Sequence, residues 1–177
     1  AIVLSTPGRT PLDVAVGDLD GDGRMDVVVA ASGANSVPVF TQTAAGAFNP
    51  PVAYAVGGDA QAVTVADLDG NGLADIAAAT TANTVSVLLQ TSAGTFAPAV
   101  DYVTGVQPAA VRAADVNGDG FSDPIVGAPS FDGGVAGDEG AASVYLSNSV
   151  GKAVPCADIV AVDANAGFFV FRNTLLE

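Results

Sequence analysis

Histidine and tryptophan are absent from this 177-residue sequence, cysteine occurs once, and basic residues number five. Each shortage removes a class of function. Without His the commonest general base is missing, Cys156 has no imidazole partner, and no Ser sits in a Gly-x-Ser-x-Gly elbow. An enzyme is therefore not expected. A single Cys excludes an intrachain disulfide, and Cys156 reads as a small buried apolar residue. Arg9, Arg24, Arg112, Lys152 and Arg172 are scattered. Phosphate contacts need clustered Lys and Arg, so nucleic acid is not an expected partner. No apolar run approaches the roughly 18–20 residues of a membrane helix, so insertion into a membrane is not expected either. The chain begins at Ala1 with no charged-then-apolar leader, which reads as a processed form or a fragment.

What is abundant is aspartate, and it is ordered. Asp18-Leu19-Asp20-Gly21-Asp22-Gly23-Arg24-Met25-Asp26 returns as Asp67-Leu68-Asp69-Gly70-Asn71-Gly72-Leu73-Ala74-Asp75. It returns again as Asp115-Val116-Asn117-Gly118-Asp119-Gly120-Phe121-Ser122-Asp123. Oxygen-bearing side chains fall at positions 1, 3, 5 and 9 of each loop, with Gly at 4 and 6. Hard cations such as Ca²⁺ take six to eight oxygen ligands at about 2.3–2.6 Å, and glycine permits the positive φ that wraps a loop around one point. The spacing predicts three Ca²⁺ sites. An EF-hand is excluded because it needs a bidentate Glu at position 12, where this chain has Val29, Ala78 and Val126. The formal net charge is −14, and ten of the nineteen acidic residues lie in these loops. Three Ca²⁺ ions would leave about −8, a charge that suits a soluble surface.

The loops recur with a period of 49 and then 48 residues, and so do their flanks. An apolar β-prone segment precedes each loop (12–16, 62–66, 109–113) and a buried-looking run follows it (27–31, 76–80, 124–128). Alternating segments come next (37–40, 84–89, 142–146), and a Tyr-bearing segment closes the first two units (51–56, 99–103). Four short strands per period, separated by Gly, Asn and Ser, predict an all-β chain of repeated four-stranded antiparallel sheets. Repeats of roughly 7–56, 57–104 and 105–150 follow, within a single domain over 1–177. Residues 1–6 read as a lone fourth strand. Residues 158–174 read as the second and third strands of a partial blade over 151–177 whose loop is lost, leaving Asp158 as a relic. The partial fourth blade is closed by the N-terminal strand or by another copy, because an open edge is normally covered. Ser130 to Gly140 is read as a solvated insertion in the third unit.

The motif Asp-x-Asp/Asn-Gly-Asp/Asn-Gly-x-x-Asp between strands, at this period, resembles the FG-GAP and VCBS repeats. These occur in the integrin α-subunit propeller and in many bacterial surface and secreted proteins. The third unit, with Asp123-Pro124-Ile125-Val126-Gly127-Ala128-Pro129, is similar to the integrin form. The resemblance implies a β-propeller whose loops bind Ca²⁺. Carried over, the first site uses Asp18, Asp20, Asp22, Asp26 and the Arg24 carbonyl. The second uses Asp67, Asp69, Asn71, Asp75 and the Leu73 carbonyl. The third uses Asp115, Asn117, Asp119, Asp123 and the Phe121 carbonyl, and fewer carboxylates imply weaker binding in the last two.

The expected function is an extracellular, calcium-binding adhesion or structural module, since weak oxygen-rich sites fill reliably where Ca²⁺ is abundant. Its expected partner is a protein or glycan ligand at a cell surface, or further copies in a homo-oligomer or filament. The alternative is a lectin-like propeller that binds carbohydrate. Its candidate stacking residues are Tyr54, Tyr102, Phe121, Phe131 and Tyr145, with Tyr54 and Tyr102 at equivalent positions.

Overall fold

The computed structural model describes residues 2–129, 141–146 and 154–155, and in these residues every regular element is a β-strand. The first sheet comprises β1 (Thr10–Gly17), β2 (Asp26–Ser32), β3 (Ser36–Phe40) and β4 (Val52–Ala55) in that spatial order. In the second, β5 (Ala60–Ala66), β6 (Asp75–Thr80) and β7 (Thr84–Leu88) are followed by a small hairpin, β8 (Gln90–Ser92) with β9 (Thr95–Phe96). Then β10 (Val100–Val103) pairs with β7. The third is β11 (Ala110–Ala114), β12 (Asp123–Ala128), β13 (Ala141–Leu146) and β14 (Val154–Pro155). All pairings are antiparallel. The third sheet thus takes its fourth strand from beyond the 105–150 span read from the sequence.

Register puts the acidic loops in equivalent places. Gly17 lies opposite Asp26, Ala66 opposite Asp75, and Ala114 opposite Asp123. Each loop therefore joins the first and second strands of its sheet at their paired ends, and its last aspartate is already a strand residue.

The sheets stack face to face because their second strands are apolar on both sides. Ile76 and Ala78 of β6 join Val28, Ala30, Val37, Val39 and Val63 in one core between the first two sheets. Their neighbours Ala77 and Ala79 join Val85, Val87, Val111, Val126 and Tyr145 in the core between the second and third. Alternate side chains of a strand point to opposite faces, so a strand buried on both faces reads as an unbroken apolar run. Along the first strands, β5 lies against both β1 and β11. Val63 and Val111 are 2% and 0% exposed, whereas Val14, at the equivalent register position in the first sheet, is 60% exposed. Asp13 ties these strands together. Its Oδ2 accepts a hydrogen bond from Val63 N at 3.2 Å and lies 3.9 Å from the Arg112 guanidinium.

Residues 2–6 form no strand with any of the described residues, and the segment expected to pair with them lies outside those residues. A strand needs a neighbour's row of N–H and C=O groups, and none of the described residues offers one here. Leu4 instead packs with Val29, Ala31, Phe40 and Phe48 on the outer face of the first sheet, leaving Ile2 and Val3 exposed. The readings of 130–140, of Cys156 and of the partial blade beyond Pro155 lie outside the described residues. No helix among the described residues is long and apolar enough to cross a membrane.

Candidate metal centres in the repeated loops

The three loops share one backbone cradle. In each, the first aspartate accepts from the two glycine N–H groups. Asp18 takes Gly21 N at 2.7 Å and Gly23 N at 2.9 Å, Asp67 takes Gly70 N and Gly72 N at 2.7 and 2.9 Å, and Asp115 takes Gly118 N and Gly120 N at 2.7 and 3.0 Å. Those glycines have φ between 72° and 90°, the left-handed region that costs a side-chain-bearing residue. Positions 3 and 5 each accept from the N–H two residues on, as Asp69 does from Asn71 N at 3.1 Å and Asn71 does from Leu73 N at 2.7 Å. Such local acceptor turns are what Asp and Asn side chains do best.

The ninth position does something the spacing did not announce. Asp26, Asp75 and Asp123 are 0% exposed. Each reaches back to the N–H of position 2: Leu19 N at 2.8 Å, Leu68 N at 2.8 Å and Val116 N at 3.0 Å. In the first two units the other oxygen accepts from the second residue past the third strand, Gln42 N and Gln90 N, both at 2.7 Å. The ninth aspartate is therefore a structural anchor as well as a candidate ligand. Gln42 and Gln90 were missed in the sequence, although they stand 48 residues apart, one repeat period.

The geometry brings carboxylates together in two of the three loops. Oxygens of Asp18, Asp20 and Asp22 lie within 4.8 Å of one another, and so do those of Asp67, Asp69 and Asp75. An ion with oxygen contacts of about 2.3–2.6 Å bridges oxygens up to about 5 Å apart, so both groups fit a hard cation such as Ca²⁺. Asp115, Asp119 and Asp123 form no such group among the described residues; Asn117 stands at position 3, and its Nδ2 donates to Asp119 at 3.0 Å. Arg24, whose carbonyl the resemblance nominates, also pairs its guanidinium with Asp22 and donates from Nε to Gln42 O at 3.2 Å.

The charges are in tension. Partial desolvation raises the Asp20 carboxyl, and the neighbouring carboxylates of Asp26, Asp22 and Asp18 push it further up. Desolvation also acts on Asp18, but donors from Gly23, Gly21, Asp22 and Asp20 outweigh it and hold that carboxyl below its usual range. Burial drives Asp75 up to about 6 despite its two N–H donors, with Asp69 and Asp67 contributing. A bound divalent cation supplies the positive charge that offsets this repulsion.

Most of the candidate stacking aromatics are engaged in packing. Tyr102 and Tyr145 lie with centroids 6.1 Å apart, and Tyr145 is buried. The Phe121 ring rests on Gly70 of the preceding loop. Phe131 lies outside the described residues. Tyr54 meets Phe96 edge to face at 5.0 Å and lines a groove of about 410 Å³ with Leu88, Pro98 and Asp101.

Comparison with known families agrees with this repeat structure. The chain matches the FG-GAP-like repeat over residues 18–78 and again over 67–126, and the FG-GAP repeat over 108–145. No curated protein matches it. Repeats of this kind form β-propeller-like modules often involved in adhesion, generally non-enzymatic, and they occur mostly in extracellular proteins. With the matches spanning residues 18–145, well over half of the sequence, the chain belongs to the FG-GAP repeat family.

Proposed function

We propose that this chain is an extracellular, calcium-binding β-propeller module that works in adhesion or as a structural unit and catalyses nothing. The observation that carries the reading is the pair of three-carboxylate groups within 4.8 Å, each built on the same glycine-shaped loop. Calcium holds the first and second strands of each sheet at their joined ends, and rigid sheets then present a fixed surface to a protein or glycan. Ring closure comes from a further blade, completed by the N-terminal segment or by a second copy, and head-to-tail copies extend into oligomers or filaments. All three loops bind Ca²⁺, the second and third more weakly because Asn71 and Asn117 each stand where the first loop has a carboxylate.

Calorimetric titration with Ca²⁺, followed by light scattering in Ca²⁺ and in EDTA, tests this. The expected result is up to three binding events and a higher melting temperature in Ca²⁺. A site filled at a hundred times its Kd adds about 2.7 kcal/mol. Absence of both heat and stabilisation would remove the calcium reading. A carbohydrate ligand is the second reading, favoured by the Tyr54–Phe96 groove with Asp101 at its edge; a glycan array without hits in Ca²⁺ buffer would dismiss it.

A further inference from the structure

Gln90 is 1% exposed and belongs to neither acidic loop, yet it holds both. Its Nε2 donates to the Leu19 carbonyl of the first loop at 2.9 Å and to the Ala74 carbonyl of the second at 3.1 Å. Its backbone N donates to Asp75 at 2.7 Å, and its backbone carbonyl accepts from Asn71 Nδ2 at 2.8 Å. Four bonds from one residue thus reach position 2 of the first loop and positions 5, 8 and 9 of the second. Its Oε1 has no hydrogen-bond partner among the described residues, so within them the amide is oriented by its two N–H bonds. The hairpin β8–β9 that begins at Gln90 also abuts the first loop: a Cβ on Gly94 would lie 3.6 Å from Asp20 Cβ, and one on Gly21 would lie 3.0 Å from Ala93.

We infer that Gln90 couples the first two cation sites, so that filling one raises the affinity of the other. The inference rests on the calcium reading of these loops. A cation on Asp67, Asp69, Asn71 and Asp75 fixes Asn71 and Asp75, which hold the Gln90 backbone. A fixed Gln90 backbone holds its amide against Leu19 O, between Asp18 and Asp20. The second cation then meets a loop whose ordering has already been completed, and binding that needs less ordering is tighter. The coupling is reciprocal by linkage.

Gln42 provides the internal control. It stands one period earlier and its backbone is held likewise: its N donates to Asp26, and its carbonyl accepts from position 7, Arg24 Nε, where that of Gln90 accepts from position 5. Its side chain is half-exposed and makes no hydrogen bond to any described residue. Gln90 is a positioning residue; Gln42 occupies the same place with no neighbouring loop to grip among the described residues.

The test is Ca²⁺ calorimetry on the full chain with the third loop silenced by Asp115→Ala and Asp119→Ala. In that background the second Ca²⁺ is expected to bind at least about fivefold more tightly than the first, the lower end of ordinary coupling. Gln90→Asn keeps the backbone bonds but is one methylene too short to span both carbonyls, and it should leave two independent sites. Gln42→Asn should leave the coupling intact. Circular dichroism without Ca²⁺ checks that each variant folds; should Gln90→Asn fail that check, Gln90→Met, of similar length with no donor, replaces it. Independent binding with Gln90 in place overturns the coupling while leaving the calcium sites standing. Equal coupling in the folded Gln90 variant overturns the role of this residue. Absence of any Ca²⁺ binding overturns both readings together.

Discussion

Asp75 is a carboxylate with no solvent exposure whose two oxygens take N–H groups from two separate segments of one unit, Leu68 in the loop and Gln90 after the third strand. Removing it strands two buried donors, each of which costs about 1–3 kcal/mol when left unmade. Asp75→Ala should therefore lose roughly 2–6 kcal/mol in urea unfolding without Ca²⁺, and more with it, because a ligand of the second site is lost as well. Its pKa, raised by burial to about 6, sets a pH dependence of defined sign. Without a cation the folded chain holds this proton more tightly than the unfolded chain. That stabilisation is complete below about pH 4 and is lost as pH rises through about 6. With Ca²⁺ bound only the carboxylate form serves, so stability rises across the same window. Thermal melts from about pH 4 to 7 in EDTA and in Ca²⁺ should slope in opposite directions, and parallel slopes would separate Asp75 from the metal. The four oxygen positions of each loop were legible because they recur. The anchoring by position 9 was not, because its second donor arrives 15 residues later, after two more strands have folded back.

Among the elements, β6 shows how an apolar run becomes a blade. Ile76, Ala77, Ala78 and Ala79 are all 0% exposed, and they divide alternately between two cores. The alanines let neighbouring sheets approach closely, so added volume has nowhere to go. Ala78→Leu should cost about 1–3 kcal/mol by overpacking. Val14→Leu, on the 60% exposed face of β1, should stay within about 0.5 kcal/mol. Equal midpoints for the two variants in urea would mean that the sheets are not packed at native density. Strand boundaries followed from alternation and turn residues. The hairpin β8–β9 was hidden because its strands are three and two residues long, too short for a period to register.

For the molecule as a whole, contacts between loops matter as much as contacts between sheets. Ser122 N donates to Asp67 O at 3.2 Å, and a Cβ on Gly70 would lie 2.0 Å from Phe121 Cε1. Gly70 and Gly72 have φ of 72° and 82°, so alanine strains either one, but a Cβ on Gly72 meets open space. Gly72→Ala should lose about 1–2 kcal/mol from backbone strain, and Gly70→Ala should lose more, because the Phe121 ring must also leave. Chemical denaturation of the pair measures the difference, which is the strength of the link between the second and third loops. Equal losses would mean that Phe121 contributes nothing there.

The sequence alone determined the all-β class, the repeat period and the oxygen-bearing residues that recur in the loops, because each is a local pattern written three times. Tertiary structure decided which first strand lies uncovered, where Leu4 goes, and that Gln90 spans two loops. Val14, Val63 and Val111 are alike as residues and differ in burial only through what stands in front of them. Gln42 and Gln90 likewise are one residue in one register, and only the presence of a preceding loop within reach gives the second its bonds to Leu19 and Ala74.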